Sequence, residues 1–152
     1  MNTNSKPAQN ELGTVPAIMR FSAVVVLVQC AAIFIYVATL IVSQFTDHTS
    51  TLESESAAAS YVNIGTAVFL LIIFGFVGYA AVSTLKGTPR ATGAVVLVEA
   101  IFAGVAVYMF RGGAPLLGVA TLASALLALV GIFHPATRDY NEARYELRKA
   151  RR

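Results

Sequence analysis

Residues 91–110 read ATGAVVLVEAIFAGVAVYMF, with Arg90 before them and Arg111 after. At 1.5 Å per residue, a helix of this length extends about 30 Å, the thickness of the hydrocarbon core of a bilayer. Three further apolar runs, over 21–42, 61–85 and 115–133, are long enough to do the same. With 57% apolar and 12% charged residues among 152, the composition lies outside that of a soluble domain. The sequence therefore predicts an all-α, polytopic membrane protein with four transmembrane helices in two hairpins. Its expected divisions are a flexible cytoplasmic tail over 1–16, a transmembrane domain over 17–134 and a basic amphipathic tail helix over 135–152. The connections leave no room for a soluble catalytic domain.

Glu99 is the one Asp, Glu, Lys, Arg or His well inside any of these runs. A carboxylate near the centre of a span costs roughly 2.5–3.5 kcal/mol on insertion scales, so it faces other helices or a water-filled cavity rather than lipid. Two roles are open to it: a protonated, hydrogen-bonded packing residue, or the titrating group of a transport site. The partners expected for its carboxyl are Thr121 and Ser124, three residues apart at comparable depth in the fourth run, with Gln29 and Tyr79 as the other candidates.

Ser22, Gln29 and Tyr36 recur every seven residues, which puts them on one stripe of the first span, expected to face the other helices. Gln29, Tyr36, Glu99, Thr121 and Ser124 are thus the intramembrane polar candidates. The apolar core of this span, about 22 residues, is too long for the h-region of a secretory leader. Gly75 and Gly78 in the second run, and Ala100 and Gly104 in the third, are small residues of the kind that let helices approach closely. Gly87 and Pro89 predict a tight hairpin between the second and third spans, and Gly112, Gly113 and Pro115 another between the third and fourth.

Lys6, Arg20, Lys86, Arg90 and the six cations beyond residue 137 fall on one side of such a topology and only Arg111 on the other, which predicts that both termini are cytoplasmic. In the tail, Thr137 is expected to cap a helix with Asp139 in its first turn and Arg148, Lys149, Arg151 and Arg152 in its last. Tyr140, Ala143, Leu147 and Ala150 line one side of that helix, which would let it lie on an anionic lipid surface or simply anchor the topology. Arg20, Lys86, Arg90, Arg138, Arg144, Arg148 and Lys149 are the expected head-group or topology anchors.

The single Cys30 excludes an intramolecular disulfide and the paired thiols of an oxidoreductase. Asp47, His48, Glu53 and Glu55 read as a solvated acidic loop, because their spacing matches no metal-ligand pattern. With no nucleophile beside a base and no phosphate loop, neither an enzyme nor a cofactor, metal or nucleic-acid partner is expected.

Residues 20–29, RFSAVVVLVQ, align without gaps to 90–99, RATGAVVLVE, placing Gln29 and Glu99 at equal depth. Gly65, Ala67, Val77 and Gly78 likewise match Gly118, Ala120, Val130 and Gly131. Either a helical hairpin was duplicated in parallel orientation, or Val- and Leu-rich spans agree by chance.

Arg20 at the opening of the first span, VLVQ at 26–29, KGTPR at 86–90, RGG at 111–113 and FHPATR at 133–138 together carry a resemblance. Over nearly its whole length the chain resembles a family of uncharacterised small four-helix integral membrane proteins of actinobacteria. The resemblance implies a plasma-membrane location and supplies no activity, and it would put a glutamine where Glu99 stands. Two functions are carried forward. One is an accessory or scaffold component of a larger complex, with the lipid bilayer and another membrane protein or a second copy as partners. The other is a small proton- or cation-coupled transporter or flippase using Glu99.

Overall fold

A computed structural model describes residues 13–46 and 57–150. Residues 1–12, the acidic 47–56 connection with Asp47, His48, Glu53 and Glu55, and Arg151 and Arg152 lie outside the described residues. Within them the chain is all helical: α1 (Ala17–Thr46), α2 (Ala57–Leu85), α3 (Thr92–Arg111), α4 (Pro115–Phe133) and α5 (Pro135–Ala150). α1 and α2 run past the apolar limits of 21–42 and 61–85. At the end of α1, Ser43 Oγ donates to Leu40 O and Thr46 Oγ1 to Val42 O, each at 2.9 Å, so these hydroxyls are satisfied by the helix itself and do not break it.

α1 to α4 are long and apolar enough to cross a bilayer, and large side chains cover their outer faces: Val28, Ile35, Leu97 and Leu116 are all more than half exposed. Helices are the open-ended way to satisfy backbone groups in lipid, since each hydrogen-bonds within itself. α1 packs most extensively on α2 and α3 on α4, and the α1–α4 contact joins the two hairpins. α2 and α3 touch little despite their short connection. That departs from the tight hairpin expected for them. Phe74 and Phe102 stack between the two with ring centroids 5.5 Å apart. A true two-fold between the hairpins would make the α1–α4 and α2–α3 contacts equal, and they are not.

The close approaches are made by small residues, though not those the sequence singled out. A β-carbon on Gly131 would sit 2.5 Å from Ser22 Cβ and 3.2 Å from the Ile18 carbonyl, and one on Gly118 would sit 3.2 Å from the Ala106 carbonyl. Ala80, Ala106, Ala125 and Ala128 are fully enclosed. Gly78 makes an ordinary contact with Cys30, whereas Gly75, Ala100 and Gly104 point outward, with nothing among the described residues within 4 Å of a β-carbon built on either glycine. In a helix apolar all round, small residues occur on both faces, so composition alone does not say which face is inside.

Both short turns close as Schellman motifs. After α2, Thr88 N donates to Ser83 O and Gly87 N to Thr84 O, with Gly87 at φ 70°. After α3, Ala114 N donates to Met109 O and Gly113 N to Phe110 O, with Gly113 at φ 81°.

α5 folds back against the end of the bundle where α1 starts. His134, not Thr137, caps it: His134 Nδ1 accepts from Ala136 N at 3.2 Å. Thr137 lies inside the helix, where its hydroxyl donates to Gly131 O at 2.7 Å, and Asp139 falls beyond the first turn. Pro135 explains the shift, because a proline is favoured at the first helical position and moves the start three residues upstream. Tyr140 is buried and donates to Gly87 O at 3.3 Å. The inward side of α5 therefore runs through Thr137, Tyr140, Arg144 and Leu147, while Ala143 and Ala150 face outward. Arg20, Lys86, Arg90, Arg138, Arg144, Arg148 and Lys149 gather at this end, and Arg111 stands at the other.

Candidate functional site

α1 presents one continuous buried stripe, Met19, Ser22, Ala23, Val26, Gln29, Cys30 and Val37. Ser22 and Gln29 belong to it, but Tyr36 is 52% exposed and lies off it. A straight helix drifts about 20° per seven residues, so after two repeats Val37 rather than Tyr36 points inward. α3 follows the same logic, with Val95, Glu99 and Ala106 on its buried face.

Glu99 is completely enclosed, about 10 Å along the helix axis from the start of α3. Gln29 Nε2 donates to Glu99 Oε2 at 3.0 Å and to Ser124 Oγ at 3.1 Å. Ser124 in turn donates to Thr121 O at 2.9 Å. The pair spans the bundle, tying the first hairpin to the second at mid-depth. The carboxyl partner is thus Gln29, and the expectation of Thr121 and Ser124 is corrected. Ser124 reaches Glu99 only through Gln29, and the Thr121 hydroxyl points to Met109 Sδ at 3.6 Å. Tyr79 is exposed and takes a hydrogen bond from Arg90 Nη1 at 3.3 Å.

Two acceptors in the pair are left over. Glu99 Oε1 and Gln29 Oε1 are both enclosed and have no hydrogen-bond partner among the described residues. The amide spends its donors on Glu99 and Ser124, so the only hydrogen the pair could add is that of a carboxylic acid. Beside it lies a cavity of about 480 Å³ between α1, α3 and α4. Gln29, Thr121 and Ser124 give it one polar wall; the rest is apolar, including Val28, Ile33, Phe102 and Val105. Glu99 does not line it. Among the described residues, no group of three or more His, Cys, Asp or Glu side chains is placed to hold a metal ion.

The fold and this interior define a multi-pass, all-helical membrane protein with a buried glutamine–glutamate pair. Comparison with protein-family models, curated proteins and solved structures finds no match to the chain.

Proposed function

We propose that the protein is a non-catalytic multi-pass component of the plasma membrane, with both termini cytoplasmic, acting as an accessory or scaffold subunit of a larger membrane assembly. The observation that carries this reading is the outward placement of Ala100 and Gly104 on α3, with open space over Gly104. Small-xxx-small pairs let two helix backbones approach closely, and the internal packing uses other small residues. The Gln29–Glu99 pair then acts as a mid-membrane clasp that holds the hairpins in register. Gentle-detergent purification from native membranes, with crosslinking in cells, tests the assignment. A recovered partner or second copy that is lost in Gly104→Leu supports it; a clean monomer with no crosslinked neighbour rejects it.

A second reading rests on a different observation. The unpartnered oxygens of Glu99 and Gln29, close to a cavity walled by Gln29, Thr121 and Ser124, have the chemistry to take up a proton or a cation. On this reading Glu99→Gln abolishes coupled flux in proteoliposomes without loss of protein, because an amide does not titrate. Unchanged flux in that variant, or no flux in the wild type, rejects it.

A further inference from the structure

The first turn of α3 and one side of α5 enclose a polar pocket of about 260 Å³, lined by Pro89, Thr92, Asn141, Arg144, Tyr145 and Arg148. Residues 141, 144, 145 and 148 recur at helical spacing and share one stripe of α5, while Asp139, Glu142 and Glu146 fall on the opposite, exposed side. Of its cations the helix thus turns Arg144 and Arg148 toward the pocket, while its carboxylates face solvent. Burial pushes the Arg144 guanidinium below its ordinary range; Tyr140 opposes this, and neighbouring Arg148 and Arg90 add to it.

Two further features point to a ligand. Among the described residues, Arg144 Nη1 is enclosed yet has no hydrogen-bond partner, and Asn141 Oδ1 in the same pocket is an enclosed acceptor without a donor. The start of α3 contributes as well. Its N-cap is Ala91, whose side chain cannot cap, and Ala94 N and Val95 N both return to Ala91 O. The first backbone N–H groups, on Thr92 and Gly93, are therefore left at the positive end of the helix dipole. Like-charged guanidinium groups beside an uncapped helix terminus repel one another unless an anion sits between them. Phosphate oxygens match this donor set, since guanidinium groups bind them through paired, charge-assisted hydrogen bonds. The unpaired Asn141 carbonyl oxygen calls for a hydroxyl donor on the same ligand. The volume lies under the roughly 300 Å³ at which drug-sized ligands are held, which suits a head group. Its level, at the first turn of an apolar helix, is where a span leaves the hydrocarbon.

We propose that this pocket binds the phosphate of an anionic phospholipid whose head group carries free hydroxyls, with Arg144, Arg148 and the α3 N-terminus holding the phosphate and Asn141 accepting from a hydroxyl. The site does not depend on whether the protein is a scaffold or a transporter.

The test uses the full chain in phosphatidylcholine nanodiscs containing a minor share of phosphatidylglycerol, with native mass spectrometry of the released protein. One retained phosphatidylglycerol is expected, and its retention should fall roughly tenfold for each of Arg144→Gln and Arg148→Gln. Arg138→Gln, which removes the same charge from an exposed position one turn before the lining residues of α5, should change retention less than about twofold. Thermal unfolding supplies a readout that misfolding does not mimic. Arg144→Gln should raise the midpoint in pure phosphatidylcholine, by relieving repulsion, and lower it when phosphatidylglycerol is present. Inorganic phosphate added to pure phosphatidylcholine discs separates the sources. Strong stabilisation by it with no retained lipid keeps the phosphate site but assigns it to a soluble phosphate ester. The proposal is overturned if neither lipid nor phosphate is bound, or if Arg138→Gln loses as much retention as Arg144→Gln.

Discussion

Gln29 on α1 donates across the bundle to Glu99 on α3 at 3.0 Å, and each keeps one enclosed oxygen with no partner among the described residues. The two residues lie seventy positions apart in the chain and belong to different hairpins. Their contact therefore reports on how the hairpins are joined.

Replacing Glu99 by Gln should leave stability within about 1 kcal/mol of the wild type, because an amide at 99 keeps the acceptor for Gln29 Nε2 and adds a donor for the unpaired Gln29 oxygen. Glu99→Leu should cost about 1–3 kcal/mol, since it removes that acceptor from an enclosed amide. Unfolding midpoints of the two variants in one detergent make the comparison. Equal losses would mean that the hydrogen bond contributes nothing.

Gly131→Ala should destabilise the isolated protein by about 1–3 kcal/mol, because its methyl would meet the Ser22 β-carbon, which cannot rotate away. Gly104→Leu should leave the monomer unchanged and weaken only an assembly that uses the outer face of α3. Unfolding and crosslinking measured on both variants distinguish an inner from an outer glycine.

Tyr140→Phe should cost about 0.5–1.5 kcal/mol by deleting the hydrogen bond to Gly87 O. Gly87→Ala should cost as much or more: φ is +70°, and a β-carbon there would lie 2.9 Å from Tyr140 Oη and 3.0 Å from Val15 Cγ2. In both variants hydrogen exchange should rise in α5 before it rises in α1 to α4. Uniform change along the chain would show that α5 is not held by this contact.

For topology, Leu52→Cys should react with an impermeant thiol reagent in intact cells, and Ala143→Cys, exposed on the outer side of α5, only after permeabilisation. The native Cys30 is buried and adds little background. Labelling in the reverse order would overturn the charge-based orientation.

Four spans, their turns and the burial of Glu99 were legible in the chain because each follows from a local quantity. Run length sets what can cross a bilayer, Gly87 and Gly113 supply the left-handed residue that ends each helix, and a carboxyl at mid-span must turn from lipid. Gln29 and Glu99 were also placed at matching depth, since equal distance from Arg20 and Arg90 fixes height along parallel helices. Lateral position was not legible. Thr121 and Ser124 have comparable height but bond elsewhere, and Tyr36 turns outward after two heptads of drift.

By itself, then, the sequence determined the class of the protein, the number of its apolar helices and the depth of its polar residues, because hydropathy and rise per residue need no knowledge of neighbours. Only the tertiary structure decided that α1 meets α4 while α2 and α3 stay apart, that Gly131 and Gly118 are inside and Gly104 outside, and that Arg144 turns into a pocket with Thr92. In water, an apolar face marks the core. In a membrane, lipid-facing and core-facing surfaces are equally apolar, so the choice between them rests on side-chain packing between helices, which no single helix contains.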